Sequence, residues 1–283
     1  MIHKFRSVLD EARLFANLPG LLRYAWRHPG KSWTFLRRAG SGGWIKRFFD
    51  SYGQYELLVE EIAGSALIRE ADKRLAEKFA GLSGHTARGN PYVPGTMKRQ
   101  QLFHIYALIR RLRPEVLVET GVCNGFSTAG ILAALQRNGR GHLYSIDYPE
   151  FSGETRHDFW EGKAGAVVPA DEASGWLVPG PLRERWTLLL GKSRDRLPPL
   201  LSELERIDLF LHDSEHSFEN QLFEFGTAFQ HLGPGGVLLA SDISWGEAFT
   251  VFWNEVRGEA DRYYMDHSLA IVQKNAEGDR HDV

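Results

Sequence analysis

The 283-residue sequence has one cysteine, Cys123. A single thiol excludes an internal disulfide framework and a cysteine-built zinc site, and it agrees with a reducing compartment. Uninterrupted apolar runs are also missing, since no stretch approaches the roughly eighteen residues of a membrane-spanning helix. Residues 1–15, MIHKFRSVLDEARLF, carry charges where a secretory leader needs its apolar segment, so a cytoplasmic protein is expected. A strong net charge is lacking too, at −2 overall. What is present is 43% apolar and 12% aromatic residues, enough for one substantial core and a small appended part.

The charge is unevenly spread. Residues 1–50 hold ten Lys and Arg against Asp10, Glu11 and Asp50, a surplus of +7 that leaves −9 on the rest. The same segment contains Trp26, Trp33, Trp44, Phe48 and Phe49. Basic residues mixed with aromatics suit peripheral contact with an anionic membrane surface, and equally a helical extension packed on the main domain or on a second copy in a homo-oligomer. Nucleic acid is not expected as a partner, because the remaining chain is acidic and repels phosphates.

Pro and Gly punctuate residues 18–43, and residues 54–80 then show helical spacing without proline. The extension is therefore set at 1–80, and the turn-rich 81–96 is the linker to a body at 97–283. From residue 97 helix and strand alternate. MKRQQLFHIYALIRRL predicts an amphipathic helix, EVLVET a strand and STAGILAALQRNG a helix with a glycine C-cap. HLYSID, WTLLLG, IDLFLHD and GVLLASD follow as nearly continuous apolar runs, as buried parallel strands do. RYYMD and LAIVQK make an antiparallel hairpin at one edge. The expected fold is α/β, a doubly wound, mostly parallel seven-stranded sheet. Residues 149–182 interrupt this rhythm and, with Phe151, Phe159, Trp160 and Trp176, are expected to form a lid.

In open α/β sheets the ligand lies beyond the carboxyl ends of the strands, which directs attention to VETGVCNGFS at 118–127. A dinucleotide loop reads G-x-G-x-x-G, whereas Gly121 and Gly125 are spaced G-x-x-x-G with Glu119 two residues ahead. A carboxylate beside the loop opposes a pyrophosphate and suits an ammonium group lying on glycine backbone. S-adenosylmethionine (SAM) carries that group at its amino-acid end. Asp147, closing the second strand, would accept from both ribose hydroxyls, and the turn Gly191-Lys192-Ser193 would line the adenine. Ser127 completes this cofactor set. The plainer roles stand beside these: Glu119 as a solvated strand end, the glycines as turn formers, Asp147 as a cap. A nicotinamide oxidoreductase would share the fold and Asp147, and a non-catalytic scaffold at a membrane surface would keep the fold alone.

With VETGVCNGFSTAGIL, LYSID, GWLVPGPLRERWTLLLGKS, IDLFLHDSEHSFENQLFEF and LGPGGVLLASDISW in view, residues 97–274 resemble the class I SAM-dependent methyltransferases, in particular the macrocin O-methyltransferase-like branch that includes proteins labelled cephalosporin hydroxylase. The resemblance implies methyl transfer to an oxygen of a small acceptor, a sugar or a secondary metabolite, in several members with Mg²⁺ or another divalent cation. It implies that Glu119, Gly121 and Asp147 contact the cofactor, that Asp213 lies near metal or cofactor, and that His216 is the general base. Asp213 or Glu215 would hold the His216 ring, and His212 is expected to be structural, pointing to the opposite face of its strand. Asp213 and Asp242, at adjacent strand ends, would begin a cation site. Ser241 departs from the pattern, because many relatives carry two successive acidic residues there. Trp245 would wall the acceptor pocket or pack on the following helix.

Overall fold

The structure is a computed structural model that describes residues 43–79, 96–151 and 167–276. Most of the basic N-terminal segment, the linker region 81–95 and the centre of the insertion, 152–166, lie outside the described residues.

Three helices open the described chain: α1 (Gly43–Phe48), α2 (Tyr52–Ala63) and α3 (Ala66–Lys78). Ser51 and Ser65 cap α2 and α3, their hydroxyls accepting from the amides of Gln54 and Ile68. Gly64 and Ser65 separate the two helices that residues 54–80 contribute to. Helix α4 (Arg99–Leu112) leads into β1 (Val116–Thr120), and α5 (Phe126–Asn138) ends at Gly139, whose φ of 69° provides the left-handed C-cap. Then come β2 (His142–Asp147), a small separate pair β3 (Glu150–Phe151) and β4 (Val167–Val168), and β5 (Trp186–Leu190). The remainder is α6 (Ser193–Leu204), β6 (Ile207–His212), α7 (Phe218–His231), β7 (Leu232–Ala240), α8 (Ala248–Val256), β8 (Ala260–Tyr264) and β9 (Ala270–Lys274).

Seven strands form one sheet in the order β5-β2-β1-β6-β7-β9-β8. All pairings are parallel from β5 to β7, and β9 and β8 close the edge antiparallel. Strand order reverses around β1, so its carboxyl end and that of β6 form the crevice of a doubly wound, Rossmann-like sheet.

Both faces of the sheet are buried, and the pleat divides its residues between two cores. Leu117, Leu143, Leu209 and Leu211 face one hydrophobic cluster with α4 and α5, while Val118, Ile146 and Phe210 face the other with α6, α7 and α8. The first cluster also takes in Trp44, Phe48, Phe49, Ile62 and Leu75 from α1–α3 and the turn after α1. Trp44 packs edge-on against Tyr55, with ring centroids 5.4 Å apart. Of the two readings of the N-terminal aromatics, packing on the main domain therefore holds for Trp44, Phe48 and Phe49, which are all buried.

Candidate active site

A cavity of about 910 Å³ opens at the carboxyl ends of β1, β2, β5, β6 and β7. Its floor is the loop after β1. Gly121 has φ of +87°, and a β-carbon there would lie 2.1 Å from the carbonyl oxygen of Asp213, so only glycine lets the β1 and β6 ends approach this closely. Gly125 is needed for a different contact. Its φ is +84° and its missing β-carbon leaves room for the backbone of Gly175. Gly121 lines the cavity and Gly125 does not.

Glu119 differs from the expectation of a carboxylate facing a ligand's ammonium. The pleat turns its side chain toward α5, on the same face as Leu117. There Oε1 accepts from Ser127 Oγ, and Oε2 from Thr128 Oγ1 and Ser145 Oγ, each at 2.8 Å. Glu119 is fully buried and does not line the cavity. Burial pushes its carboxyl up to about 7, the three hydroxyls opposing the shift. Ser127 lines the cavity with its hydroxyl already committed to Glu119.

Asp147 does border the cavity. Its Oδ1 accepts from the Val122 amide at 3.1 Å and its Oδ2 from Ser174 Oγ at 2.5 Å, and burial raises its pKa. The backbone amides of Cys123 and Tyr148 also donate to this carboxylate. Gly191, Lys192 and Ser193 stand at the adjoining strand end, as expected, with Ser193 Oγ donating to Asn220 Oδ1 at 3.1 Å. Trp176 behaves differently from the expected lid residue. Its indole N–H donates to Asn124 Oδ1 at 2.6 Å, and the amides of Gly175 and Leu177 bond the carbonyls of Cys123 and Asn124, so residues 174–178 clasp the glycine loop from behind. Phe159 and Trp160 lie outside the described residues.

Across the cavity, ligand atoms of Asp213, His216 and Asp242 lie within 4.8 Å of one another. The Asp213 carboxyl is pushed well up by burial and by the charge of Asp242, and burial likewise raises Asp242, opposed by the ammonium of Lys98. Two such carboxyls with an imidazole form a donor set suited to one divalent cation. Trp245, exposed, lies on the cavity wall with its ring centroid 5.1 Å from that of His216 and tilted by 54° to it.

The partners of His216 correct a second expectation. Neither Asp213 nor Glu215 holds its Nδ1. That nitrogen faces Nε2 of His212 at 3.2 Å, while His216 Nε2 faces Asp242 Oδ2 at 3.4 Å. His212 does point to the opposite face from Asp213, as expected. The pleat places it with Phe210 under α7, where its Nδ1 meets Glu224 Oε2 at 2.6 Å. Glu224 also accepts from Thr120 Oγ1, Ser214 Oγ and Asn220 Nδ2. Despite burial, the contact with His212 carries its carboxyl down to about 2. Burial carries His216 down to about 3. His212, Glu224 and Ser174 were missed as functional candidates from sequence. A usable signal for Glu224 is its helical spacing of four from Asn220, on the α7 face turned to the site.

Residues 118–243 match a family model described as a methyltransferase domain. That stretch is similar to the family over less than half of the chain. No curated protein sequence matches it. Among solved structures, the methyltransferase fold recurs in a putative caffeoyl-CoA O-methyltransferase from Staphylococcus aureus, at TM-score 0.51 and 13% identity over 80% of this chain and 100% of that one. It recurs in an O-methyltransferase from Bacillus cereus in complex with SAH, at 0.50 and 13% over 85% and 99%. A third is the O-methyltransferase TomG from Streptomyces achromogenes in complex with SAM, at 0.50 and 14% over 73% and 90%. At these identities the likeness concerns the methyltransferase fold.

Proposed function

We propose that this protein moves the methyl group of SAM to a hydroxyl oxygen of a small acceptor, a sugar or a secondary metabolite, with His216 as general base. The observation that carries the proposal is the His216 ring. One of its nitrogens is held from behind by His212, and the other faces the cavity beside Asp242, next to the exposed Trp245. A neutral imidazole at that place can take the proton of an alcohol as the alcohol attacks. Burial lowers His216 to about 3, so its ring is neutral at physiological pH.

SAM supplies a methyl group activated by its positively charged sulfur. Asp147 would receive the ribose, Gly191 to Ser193 would flank the adenine, and Gly121 would give the amino-acid end room against the backbone. Asp213, whose backbone meets Gly121 and which lines the cavity, would take over the ammonium contact that Glu119 cannot make from behind the sheet. A divalent cation, where one is required, would be held by Asp213 and Asp242, which leaves His216 Nε2 to act as base. Trp245 offers an apolar face for the acceptor ring. The run IDLFLHDSEHSFENQLFEF, which supplies His212, Asp213, His216 and Glu224, supports the macrocin O-methyltransferase-like branch.

Isothermal titration of protein freed of carried-over nucleoside tests this directly. Adenosylhomocysteine should bind with a dissociation constant on the order of micromolar and NADH should not, and Asp147→Asn should weaken the binding at least about tenfold by losing a charged acceptor. NADH binding without adenosylhomocysteine binding would favour an oxidoreductase. A screen of sugar and phenolic hydroxyls with methyl-labelled SAM then identifies the acceptor, and His216→Gln should lower kcat about 100-fold.

A further inference from the structure

We infer that Arg74 of helix α3 is a positioning residue for the cofactor site, which it reaches through residues 174–178. Arg74 itself does not line the cavity. Residues 174–178 are all buried yet belong to no helix or strand, so their backbone polar groups need partners that regular structure does not supply. Those partners fall on two sides. Toward the cavity, the amides of Gly175 and Leu177 donate to the carbonyls of Cys123 and Asn124 at 2.8 and 3.0 Å. The Trp176 indole donates to Asn124 Oδ1 at 2.6 Å, and Ser174 Oγ to Asp147 Oδ2 at 2.5 Å. One short segment thus holds both the glycine loop and the acid that ends β2. Toward α3, the Trp176 carbonyl accepts from Arg74 Nη2 at 2.9 Å, and the same guanidinium lies 4.8 Å over the indole.

Magnitudes single out Arg74 among the groups that hold this segment. Its bond to Trp176 is charge-assisted, and the Trp176 carbonyl has no other donor among the described residues, so removing the guanidinium leaves a buried acceptor unpaired. Lys78, farther along α3, lies 2.6 Å from Asp171 and 2.8 Å from Glu172. Those ion pairs sit at the surface, with Asp171 74% exposed, where such contacts contribute little. Arg183 donates to the carbonyls of Gly175 and Val178 at 2.9 and 3.2 Å, but it is a near neighbour in the chain and braces the segment locally. Arg74 brings in a helix 102 positions away. Helix α3 is thereby made part of the support of the cofactor loop, at one remove from the ligand.

This role rests on the reading of the glycine loop and Asp147 as the SAM site. Titration with adenosylhomocysteine and hydrogen exchange of the full-length protein test the two together, exchange being read by mass spectrometry on peptides spanning 172–178 and, as a reference, 207–212 in β6. Arg74→Met, which keeps an apolar stem beside Trp176, should weaken adenosylhomocysteine binding about tenfold and speed exchange in 172–178, while 207–212 exchanges as in wild type. Arg74→Lys should restore most of the affinity, and Lys78→Met should stay within about twofold of wild type. Bound adenosylhomocysteine should in turn slow exchange of 172–178 in the wild type, because such coupling is reciprocal. A folded Arg74→Met protein with wild-type affinity, or one whose exchange rises equally in both peptides, would overturn the inference. So would a wild-type segment whose exchange is indifferent to the ligand, a result that decides the matter even if Arg74→Met does not fold. Wild-type protein that ignores adenosylhomocysteine would sink the SAM reading instead, and exchange of 172–178 in Arg74→Met would still decide whether Arg74 holds the segment.

Discussion

At Gly121 the missing side chain is what lets two strand ends meet. A methyl group there would collide with the backbone of Asp213 and would also sit at a positive φ. Gly121→Ala should destabilise the fold by about 3 kcal/mol, read as a fall in the urea midpoint, and should abolish adenosylhomocysteine binding. Glu119 gives a prediction of another kind. Its carboxyl ionises near 7 in the folded protein against 4.5 ordinarily, so the native state keeps a proton that the unfolded chain releases. Stability from this group is full below about pH 4.5 and is lost as pH rises toward 7, by about 3 kcal/mol in total. Glu119→Gln should remove that fall, so that denaturation curves of mutant and wild type diverge in favour of the mutant with rising pH. Asp147, Asp213 and Asp242 were legible in sequence because they follow or end apolar strands on the side where ligands bind, whereas His216, in the loop after β6, was singled out through the family resemblance. Glu119 was placed at the right strand end but on the wrong face, since one residue of pleat separates the cavity from the core. Glu224 was not legible, because it meets His212 only once a whole helix has folded back on the sheet.

Among the elements, the segment 174–178 decides how firmly the cofactor loop is held. It contributes two backbone hydrogen bonds and the indole of Trp176 to residues 123–124, and the guanidinium of Arg74 lies 4.8 Å over that indole. Trp176→Ala should cost about 3–5 kcal/mol of stability and weaken adenosylhomocysteine binding by loosening the loop, measured by thermal melting and titration in parallel. Periodicity revealed every strand of the main sheet and the terminal hairpin, because parallel strands buried on both faces are apolar almost throughout. It could not reveal this clasp, which depends on Gly175 fitting against Gly125 across about fifty residues of chain.

On the scale of the whole molecule, helices α1–α3 belong to the same core as α4 and the sheet. Their junction contains a titratable pair, the hydroxyl of Tyr55 at 2.7 Å from Nδ1 of His104. Burial lowers His104 to about 4 from 6.5, so the unfolded chain takes up a proton first and stability is lost as pH falls from about 6.5 to 4. His104→Gln should flatten that acid limb by about 3 kcal/mol, seen in urea titrations across the range. The basic residues before α1 lead to a separate expectation. Full-length protein should co-sediment with anionic vesicles at low salt, and protein lacking residues 1–42 should not; sedimentation indifferent to lipid charge and salt would refute it.

Thr120 and His212 face each other across β1 and β6, and both grip Glu224. Sliding either strand by a single residue would swing its contact to the far side of the sheet and leave a bare anion sealed in oil. This buried carboxylate with its two strand partners thus acts as a proofreader during folding, admitting one alignment of the two central strands and rejecting its neighbours.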